Sequence, residues 1–352
     1  MTGAVLGRWP QVTVLSLGGT ISSAPPADGG LARPALSATD LVVAVPALER
    51  LADIEVRDVC RLPSNDMTFE IARSVAGEIR SATERGATGV VVTQGTDTIE
   101  EMAYAWDLLV PGDAPTVVTG AMRHAGLTSA DGAGNLLDAV RTAASPQARG
   151  LGCLVVLNEE IHSARTVRKA HTSSLAAFRS AGVGPLGWIA EGEPQLRDRP
   201  YPRTPVELPP GAPVVRPPLV TITLDDDGWW LPAAARARGL VVAGTGGGHV
   251  PGWLSDRLVE LAGRIPVVLV SRTGDGEVLT GTYGGFAGSE TVLVQGGLIP
   301  AGTLDPFKAR VLLGLLLSAG ADHARIRSTF ATARTLCRGL PATEQPTIDI
   351  GG

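Results

Sequence analysis

The sequence predicts an α/β protein with two α/β domains, a larger N-terminal domain built on a parallel sheet and a smaller C-terminal one. Three observations support this class. Apolar, β-branched runs alternate with segments of helical periodicity, which is typical of repeated strand–turn–helix units. The 44 glycines follow no collagen-like period, so they indicate tight turns. The chain of 352 residues is longer than one hydrophobic core usually serves.

The N-terminal part shows this alternation in chain order. The predicted strands are Val12–Leu17, Gly89–Thr93, Thr116–Thr119 and Leu151–Leu157. The predicted helices are Ser37–Leu48, Phe69–Thr83, Ile99–Val110 and Asn135–Ala144. The first helix begins with the polar caps Ser37, Thr39 and Asp40. The second has one apolar face, because Ile71, Val75 and Ile79 recur every fourth residue.

A proline-rich segment interrupts the alternation. Nine prolines lie between Pro194 and Pro218, and proline at this density cannot hold a central strand or a helix. We therefore predict an N-terminal domain at 1–208, an extended linker at 209–220 and a C-terminal domain at 221–352. The predicted elements of the last domain are Leu240–Ala243, Leu254–Ala262, Val267–Ser271 and Lys308–Ser318.

Composition narrows the function classes. A net charge of -5 and a pI near 5.6 provide no basic surface for phosphate backbones, which argues against nucleic-acid binding. Cys60, Cys153 and Cys337 are far apart and have no zinc-site spacing, which favours a reducing compartment. No signal-like segment starts the sequence, and no apolar run is long enough for a membrane span. We predict a cytoplasmic protein, although a processed periplasmic or secreted form would look the same.

Three predicted strand ends carry polar turns, and such loops form the ligand crevice of open parallel sheets. The first is Leu17-Gly18-Gly19-Thr20, where Thr20 is either a functional hydroxyl or the cap of a glycine turn. The second runs from Thr93 to Glu101 and contains Thr96 and Asp97. Thr98 and Glu101 fit a capping box there, and Asp97 fits an Asx turn. The third is Thr119-Gly120-Ala121-Met122-Arg123.

Other catalytic motifs are absent from the sequence. It contains no P-loop, no G-x-S-x-G nucleophile elbow and no H-E-x-x-H metal pair. We expect the scattered histidines to be surface or hydrogen-bonded residues rather than metal ligands: His124, His162, His171 and His323. Covalent chemistry through a hydroxyl, without metal or cofactor, remains, and a threonine nucleophile needs a neighbouring base.

The turns resemble two signature segments of the bacterial L-asparaginases and glutaminase-asparaginases. These segments are Leu17-Gly18-Gly19-Thr20-Ile21 and Gly95-Thr96-Asp97-Thr98-Ile99-Glu100-Glu101. Further similar segments are Pro63–Met67, Val118–Arg123, Ser129–Gly132, Thr166–Thr172 and Ala301–Arg310. The resemblance extends from about residue 11 to the final helices.

The resemblance implies an amidohydrolase that converts L-asparagine to L-aspartate and ammonia, with minor glutaminase activity and no cofactor. It implies that Thr20 is the nucleophile, and that Thr96, Asp97 and Lys169 form a second polar cluster. The implied substrate-binding residues are Ser64, Asn65, Asp97, Ala121, His249 and Glu290. Ser64 would hold the α-carboxylate and Asp97 the α-ammonium. Glu290 would reach the ammonium group from a neighbouring subunit of a homotetramer, a dimer of dimers.

The sequence departs from the family pattern at several positions. Residues Ser22–Ala32 contain no tyrosine, and Leu31 stands nearest to where the family has one. Gln94 replaces a frequent histidine, Asn65 a frequent glutamine and His249 a frequent asparagine. His249 therefore suggests activity that depends on pH near neutrality.

Two other functions remain to be weighed. The missing tyrosine motivates an amino-acid-binding or regulatory protein on the same fold with weak or no turnover. Retention of Thr20 and Lys169 opposes that alternative, since a sensor needs neither. A nucleotide-dependent oxidoreductase fits the α/β pattern alone and lacks the dinucleotide fingerprint. For Glu290, the alternative is a solvated loop acid.

Overall fold

A computed structural model describes residues 9–26, 30–200 and 203–335 of the chain. Contacts divide the chain into two compact units between Val214 and Val215. Each unit is an α/β structure, as the sequence predicts.

The first unit contains twelve strands and four α-helices among its described residues. Its strands are β1 (Gln11–Ser16), β2 (Ser23–Ala24), β3 (Arg33–Pro34), β4 (Asp53–Asp58), β5 (Gly89–Thr93), β6 (Thr116–Thr119), β7 (Cys153–Leu157), β8 (Glu160–Ser163), β9 (Val167–Lys169), β10 (Phe178–Ser180), β11 (Gly187–Ala190) and β12 (Glu193–Leu196). Its helices are α1 (Ala38–Val43), α2 (Phe69–Glu84), α3 (Ile99–Leu109) and α4 (Gly132–Ala144).

Eight of these strands form one sheet in the order β12-β11-β8-β7-β6-β5-β1-β4. Neighbouring strands pair in parallel through β4, β1, β5, β6 and β7. Strands β8, β11 and β12 continue the sheet beyond β7 with antiparallel pairing. Alternate strand residues, such as Val12, Val91 and Leu154, pack with α1 and α4 in one buried core. Helices α2 and α3 pack against each other and cover strands of the same sheet, with Val75 and Ile79 fully buried.

The second unit has a four-stranded parallel sheet in the order β13-β14-β15-β16. These strands are β13 (Leu219–Thr221), β14 (Leu240–Gly244), β15 (Val267–Ser271) and β16 (Ile299–Pro300). The helices are α5 (Leu231–Ala234), α6 (Gly252–Ala262), α7 (Glu290–Gln295), α8 (Pro306–Ser318) and α9 (His323–Thr335). Asp305 caps α8 and also accepts a hydrogen bond from the fully buried Lys308, at 2.7 Å.

The predicted helix Ser37–Leu48 is wrong at its end. Ser37 does begin the helix, through a capping box with Asp40, but α1 ends at Val43. A separate 3-10 helix starts at Pro46, because proline lacks the N–H for an internal helical bond and disfavours helix at the preceding residue.

The proline-rich segment is not linker throughout. Pro194 lies in β12 and pairs with Ile189 at the end of the large sheet, an edge position that tolerates proline. At the other end of the segment, Leu219 already belongs to β13. The linker at 209–220 stays a prediction.

Three expectations from composition concern the chain as a whole. Within the described ranges, no helix is both long and apolar enough to cross a membrane. Among those same residues, no cluster of histidine, cysteine and acidic side chains is arranged to hold a metal ion. Cys60 and Cys153 are free thiols, and Cys337 lies outside the described residues.

Two buried groups of the first unit have strongly shifted pKa values. Burial raises the pKa of Asp107 in α3 to about 6, although the Cys153 N–H and the Arg203 guanidinium partly oppose this rise. Burial lowers the pKa of His162 in β8 to about 4. His162 is hydrogen-bonded to Ser180, in accord with the expectation that it is a hydrogen-bonded residue.

These two groups should give opposite pH dependences of stability. Folding raises the pKa of Asp107, so its contribution falls as pH rises from about 4 to 6. Folding lowers the pKa of His162, so its contribution rises between about pH 4 and 6.5. Each effect is on the order of 3 kcal/mol. We expect Asp107→Asn to gain stability relative to wild type as pH rises, and His162→Asn to lose it, in urea unfolding from pH 4 to 7. Parallel profiles for all three proteins would contradict these assignments.

Candidate active site

The strand order places four polar turns side by side. Strand β1 pairs in parallel with β4 on one side and β5 on the other, and β6 follows β5. Backbone hydrogen bonds continue beyond the strand ends: Leu62 N–H donates to Leu17 O at 3.0 Å, and Leu17 N–H to Thr93 O at 2.8 Å. The turns after β4, β1, β5 and β6 therefore lie next to one another, as expected of a crevice at the carboxyl ends of parallel strands.

The first turn, after β1, makes a close backbone contact with the turn after β5. Gly18 and Gly19 have φ values of 98° and 84°, in the left-handed region that favours glycine. A Cβ on Gly19 would lie 2.1 Å from Gly95 N, so the turn packs directly on the turn after β5. Thr20 then begins a short 3-10 helix and is half-buried. Gly19, not Thr20, is the N-cap residue, so the capping alternative for Thr20 is wrong.

Four of the predicted site residues form one hydrogen-bonded network. The Lys169 ammonium donates to Thr96 Oγ1 at 2.8 Å and to Asp97 Oδ1 at 2.5 Å. The Ser64 hydroxyl donates to Asp97 Oδ2 at 2.9 Å. Thr96 and Ser64 are each only 5% exposed, whereas the Asp97 side chain is 64% exposed. The network therefore has a buried side and a carboxylate that faces solvent.

Electrostatics keep Asp97 ionised. The hydrogen bond from Lys169 lowers the pKa of Asp97 below its usual value, burial opposes this, and the Ser64 hydroxyl lowers it further. The Asp97 carboxylate thus accepts from side chains on two other elements, a role that the Asx-turn alternative does not describe. A carboxylate so held can orient a lysine and still accept a cationic ligand on its open side.

The predicted capping box at Thr98 is wrong. Thr98 is the N-cap of α3, but its side chain makes no capping bond. Its hydroxyl instead donates to Ser64 O at 2.9 Å, which ties the turn after β5 to the 3-10 turn Ser64–Asp66. A residue that fits a local cap has thus been used for a contact between two loops.

Two residues without an assigned role hold the third turn. The Asp131 carboxylate accepts from the backbone N–H groups of Met122 and Arg123, at 3.0 and 2.8 Å. The buried Asn135 side chain donates to Gly120 O at 3.0 Å. Ala121 is buried between these anchored residues. The signal for Asn135 was a polar residue on the inner side of an amphipathic helix, which indicates a buried hydrogen bond.

Other predicted positions have simpler surroundings. Asn65 is exposed, and its amide donates to Asp66 at 3.2 Å. Gln94 is fully buried, and its amide donates to Gly95 O at 3.3 Å. Leu31 is 92% exposed.

In the second unit, His249 and Glu290 lie together. His249 Nε2 is 3.0 Å from Glu290 Oε2, and Glu290 Oε1 accepts from the N–H groups of Thr282 and Tyr283 at 3.1 and 2.7 Å. Glu290 is fully buried in the first turn of α7, so the solvated-loop alternative is wrong. Burial alone would raise the pKa of Glu290, but these hydrogen bonds bring it below its usual value.

Comparison with known proteins identifies the family. Residues 11–202 match the family described as Asparaginase, N-terminal, and residues 218–330 match the Glutaminase/Asparaginase C-terminal domain. The chain belongs to the asparaginase family. These matches cover both structural units, and the resemblance inferred from the two threonine turns is confirmed.

Individual relatives of this asparaginase-family chain match over nearly their full length. A probable L-asparaginase of Deinococcus radiodurans is 40% identical, over 91% of this chain and 97% of the relative. L-asparaginase 2 of Escherichia coli is 34% identical, over 94% of each chain. The crystal structure of a probable cytoplasmic L-asparaginase from Campylobacter jejuni superimposes with a TM-score of 0.81 at 32% identity, covering 92% of this chain and 99% of that one.

The glycine contact between the first two turns predicts a steric effect in this family member. In Gly19→Ala, the new Cβ would meet backbone 2.1 Å away, so the turns must separate. We expect a loss of several kcal/mol in the free energy of unfolding, because rigid backbone cannot move aside as a side chain does. Gly184→Ala is the matched control, since Gly184 has φ 75° and a methyl group there would have no atom within 4 Å. It should lose only about 1 kcal/mol. Equal losses in urea unfolding would disprove the steric explanation.

Proposed function

We propose that this protein hydrolyses the side-chain amide of L-asparagine to L-aspartate and ammonia, with minor activity on L-glutamine. Family membership and relatives named L-asparaginase support this reaction class. The observation that carries the proposal is the network in which one ammonium, that of Lys169, holds both Thr96 and Asp97. Thr96 and Asp97 belong to the turn after β5, which packs on the Gly18–Thr20 turn.

In the proposed mechanism, Thr20 Oγ1 attacks the amide carbon. A bond forms between that oxygen and the carbon, and the Thr20 proton passes to Thr96 Oγ1 as the Thr96 hydroxyl, which Lys169 orients, gives its own proton to the amide nitrogen. The C–N bond then breaks, so ammonia departs and an acyl-enzyme remains. Water then attacks the ester, its proton returns to Thr20, and aspartate is released.

The substrate zwitterion fits the charges of the network. We assign Ser64, with Asn65 beside it, to the α-carboxylate and Asp97 to the α-ammonium, because charge-assisted hydrogen bonds orient the amide most strongly. The Ala121 carbonyl would accept a hydrogen bond from the leaving amide nitrogen. Backbone N–H groups of the glycine turns would stabilise the oxyanion, each by roughly 3 kcal/mol.

The second unit is proposed to complete the site of a neighbouring subunit. Glu290 would supply negative charge for the ammonium group, and His249, 3.0 Å from it and partly exposed, would lie between that charge and the surface. This arrangement requires an oligomer, and we propose a homotetramer assembled as a dimer of dimers, in the cytoplasm. Neither nucleic acid nor membrane is a proposed partner.

The alternative is an amino-acid-binding protein with weak or no turnover. This alternative is considered because residues 22–32 contain no tyrosine, so another group must assist Thr20. The geometry at Lys169 favours the enzyme, because binding of a zwitterion does not require an ammonium held against the Thr96 hydroxyl.

The nucleophile is tested by Thr20→Ala. We expect ammonia release from L-asparagine to fall by at least about 1,000-fold with the unfolding midpoint nearly unchanged, because the reacting oxygen is removed from a half-buried position. The measurement is coupled ammonia detection with L-asparagine, L-glutamine and D-asparagine. Wild-type rates in the variant would refute the nucleophile. No release by wild type, with asparagine still raising its midpoint, would favour the binding protein.

The carboxylate site is tested by Ser64→Ala. Removal of this hydroxyl should raise KM for L-asparagine by about tenfold or more, since a hydrogen bond to a charged group contributes roughly 1.5–3 kcal/mol. Ser129→Ala is a control at an exposed serine whose hydroxyl accepts a hydrogen bond from Arg123. An unchanged KM in Ser64→Ala would remove Ser64 from substrate binding.

A further inference from the structure

Lys169 is held outside the main sheet. It is the last residue of β9, which pairs with β10 over only three residue pairs, and these two strands form a separate two-stranded sheet. A hairpin this short is marginally stable by itself. Contacts other than the ladder must therefore fix the Lys169 ammonium against Thr96.

A buried polar chain joins this hairpin to the eight-stranded sheet. His162 of β8 is 1% exposed, and its Nδ1 lies 3.1 Å from Ser180 Oγ in β10. The Thr166 hydroxyl, just before β9, donates to the same Ser180 oxygen at 3.1 Å. On the other side of the ring, His162 Nε2 lies 3.2 Å from Glu160 Oε2.

The group beside each ring nitrogen indicates the tautomer of His162. Nε2 lies 3.2 Å from the Glu160 carboxylate, which can only accept, so we assign the ring proton to Nε2. Burial lowers the pKa of His162, which favours the neutral ring. Nδ1 is then an acceptor for the Ser180 hydroxyl, whose oxygen accepts from Thr166.

This series of hydrogen-bonded side chains reaches the hairpin close to Lys169 in the strand register. Ser180 lies opposite Val167, and Phe178 lies opposite Lys169. Cross-strand partners share a face, so Ser180 and Lys169 lie on the same face of the hairpin as the buried Val167 and Phe178. Arg168 provides a second attachment, with its Nε 3.9 Å from the Glu100 carboxylate of α3.

We propose that His162 is a positioning residue for the hydrolytic reaction. Through Ser180 and Thr166, it fixes the β9–β10 hairpin and thereby holds the Lys169 ammonium at Thr96. The proposal rests on the proposed function, in which Lys169 orients Thr96. His162 itself is buried in β8 and acts only through the hairpin.

The test uses substitutions that separate the polar chain from packing. His162→Leu removes Nδ1 while filling much of the volume, and we expect kcat to fall about 10- to 100-fold with KM within about threefold, the scale of a displaced catalytic group. His162→Asn keeps an acceptor near the position of Nδ1 and should restore most of kcat. Thr166→Val should lower kcat, whereas Thr142→Val, which deletes a buried hydroxyl bonded to Asp138 O in α4, should lower only stability.

A double-mutant comparison distinguishes positioning from general destabilisation. If His162 acts through Lys169, His162→Leu should lower kcat much less in a Lys169→Met background than in wild type. Amide hydrogen exchange at residues 167–170 should also increase in His162→Leu and remain unchanged in Thr142→Val. An undiminished effect in the double variant, or wild-type kcat in His162→Leu, would overturn the proposal.

The same experiment separates the two levels of inference. If Lys169→Met keeps wild-type kcat, the proposed function of Lys169 fails, and the positioning role fails with it. If Lys169→Met is impaired but His162→Leu is not, only the role of His162 is refuted, and the proposed function stands.

Discussion

Strand β1 lies between β4 and β5 in parallel pairing, and this position determines which loops can meet. Ser16 is opposite Asp58 on one side and Thr93 on the other, so three strands end at one level. The turn that carries Thr20 is consequently flanked by the turns of Ser64 and Thr96. The contact is so close that residue 19 has no space for a side chain. Sheet topology thus assembles most of the candidate site before any side-chain interaction is considered.

The parts of the fold that the sequence predicts well have strong local signals. The strands Gly89–Thr93, Thr116–Thr119 and Val267–Ser271 are observed with the predicted bounds, because each is an apolar β-branched run that ends at a turn. Strand β4 was not predicted, since its charged residues alternate at a half-exposed sheet edge. The short strands from β8 to β12 also lacked a signal, because their pairing depends on distant partners.

At the candidate site, motif resemblance located residues better than it described their contacts. Spacing along the chain predicts a cap at Thr98. The Thr98 hydroxyl instead donates to Ser64 O, and these residues are 34 positions apart. Lys169 could be named only by resemblance, since it arrives on a hairpin that no periodicity predicted. The burial of Glu290 likewise depends on donors from another loop. Local patterns cannot encode such contacts, because they arise only when the chain is folded.

Pro194 gives the large sheet a property unrelated to the site. Ile189, its partner in β11, directs its N–H away from β12 toward Glu159 O, so the nitrogen of Pro194 faces the outer side of β12. A strand from another molecule would find no hydrogen-bond donor there. In the described part of the first unit, β12 ends the order of the sheet. The proline therefore makes this edge a poor template for intermolecular strand addition, and it should help the protein resist aggregation when concentrated.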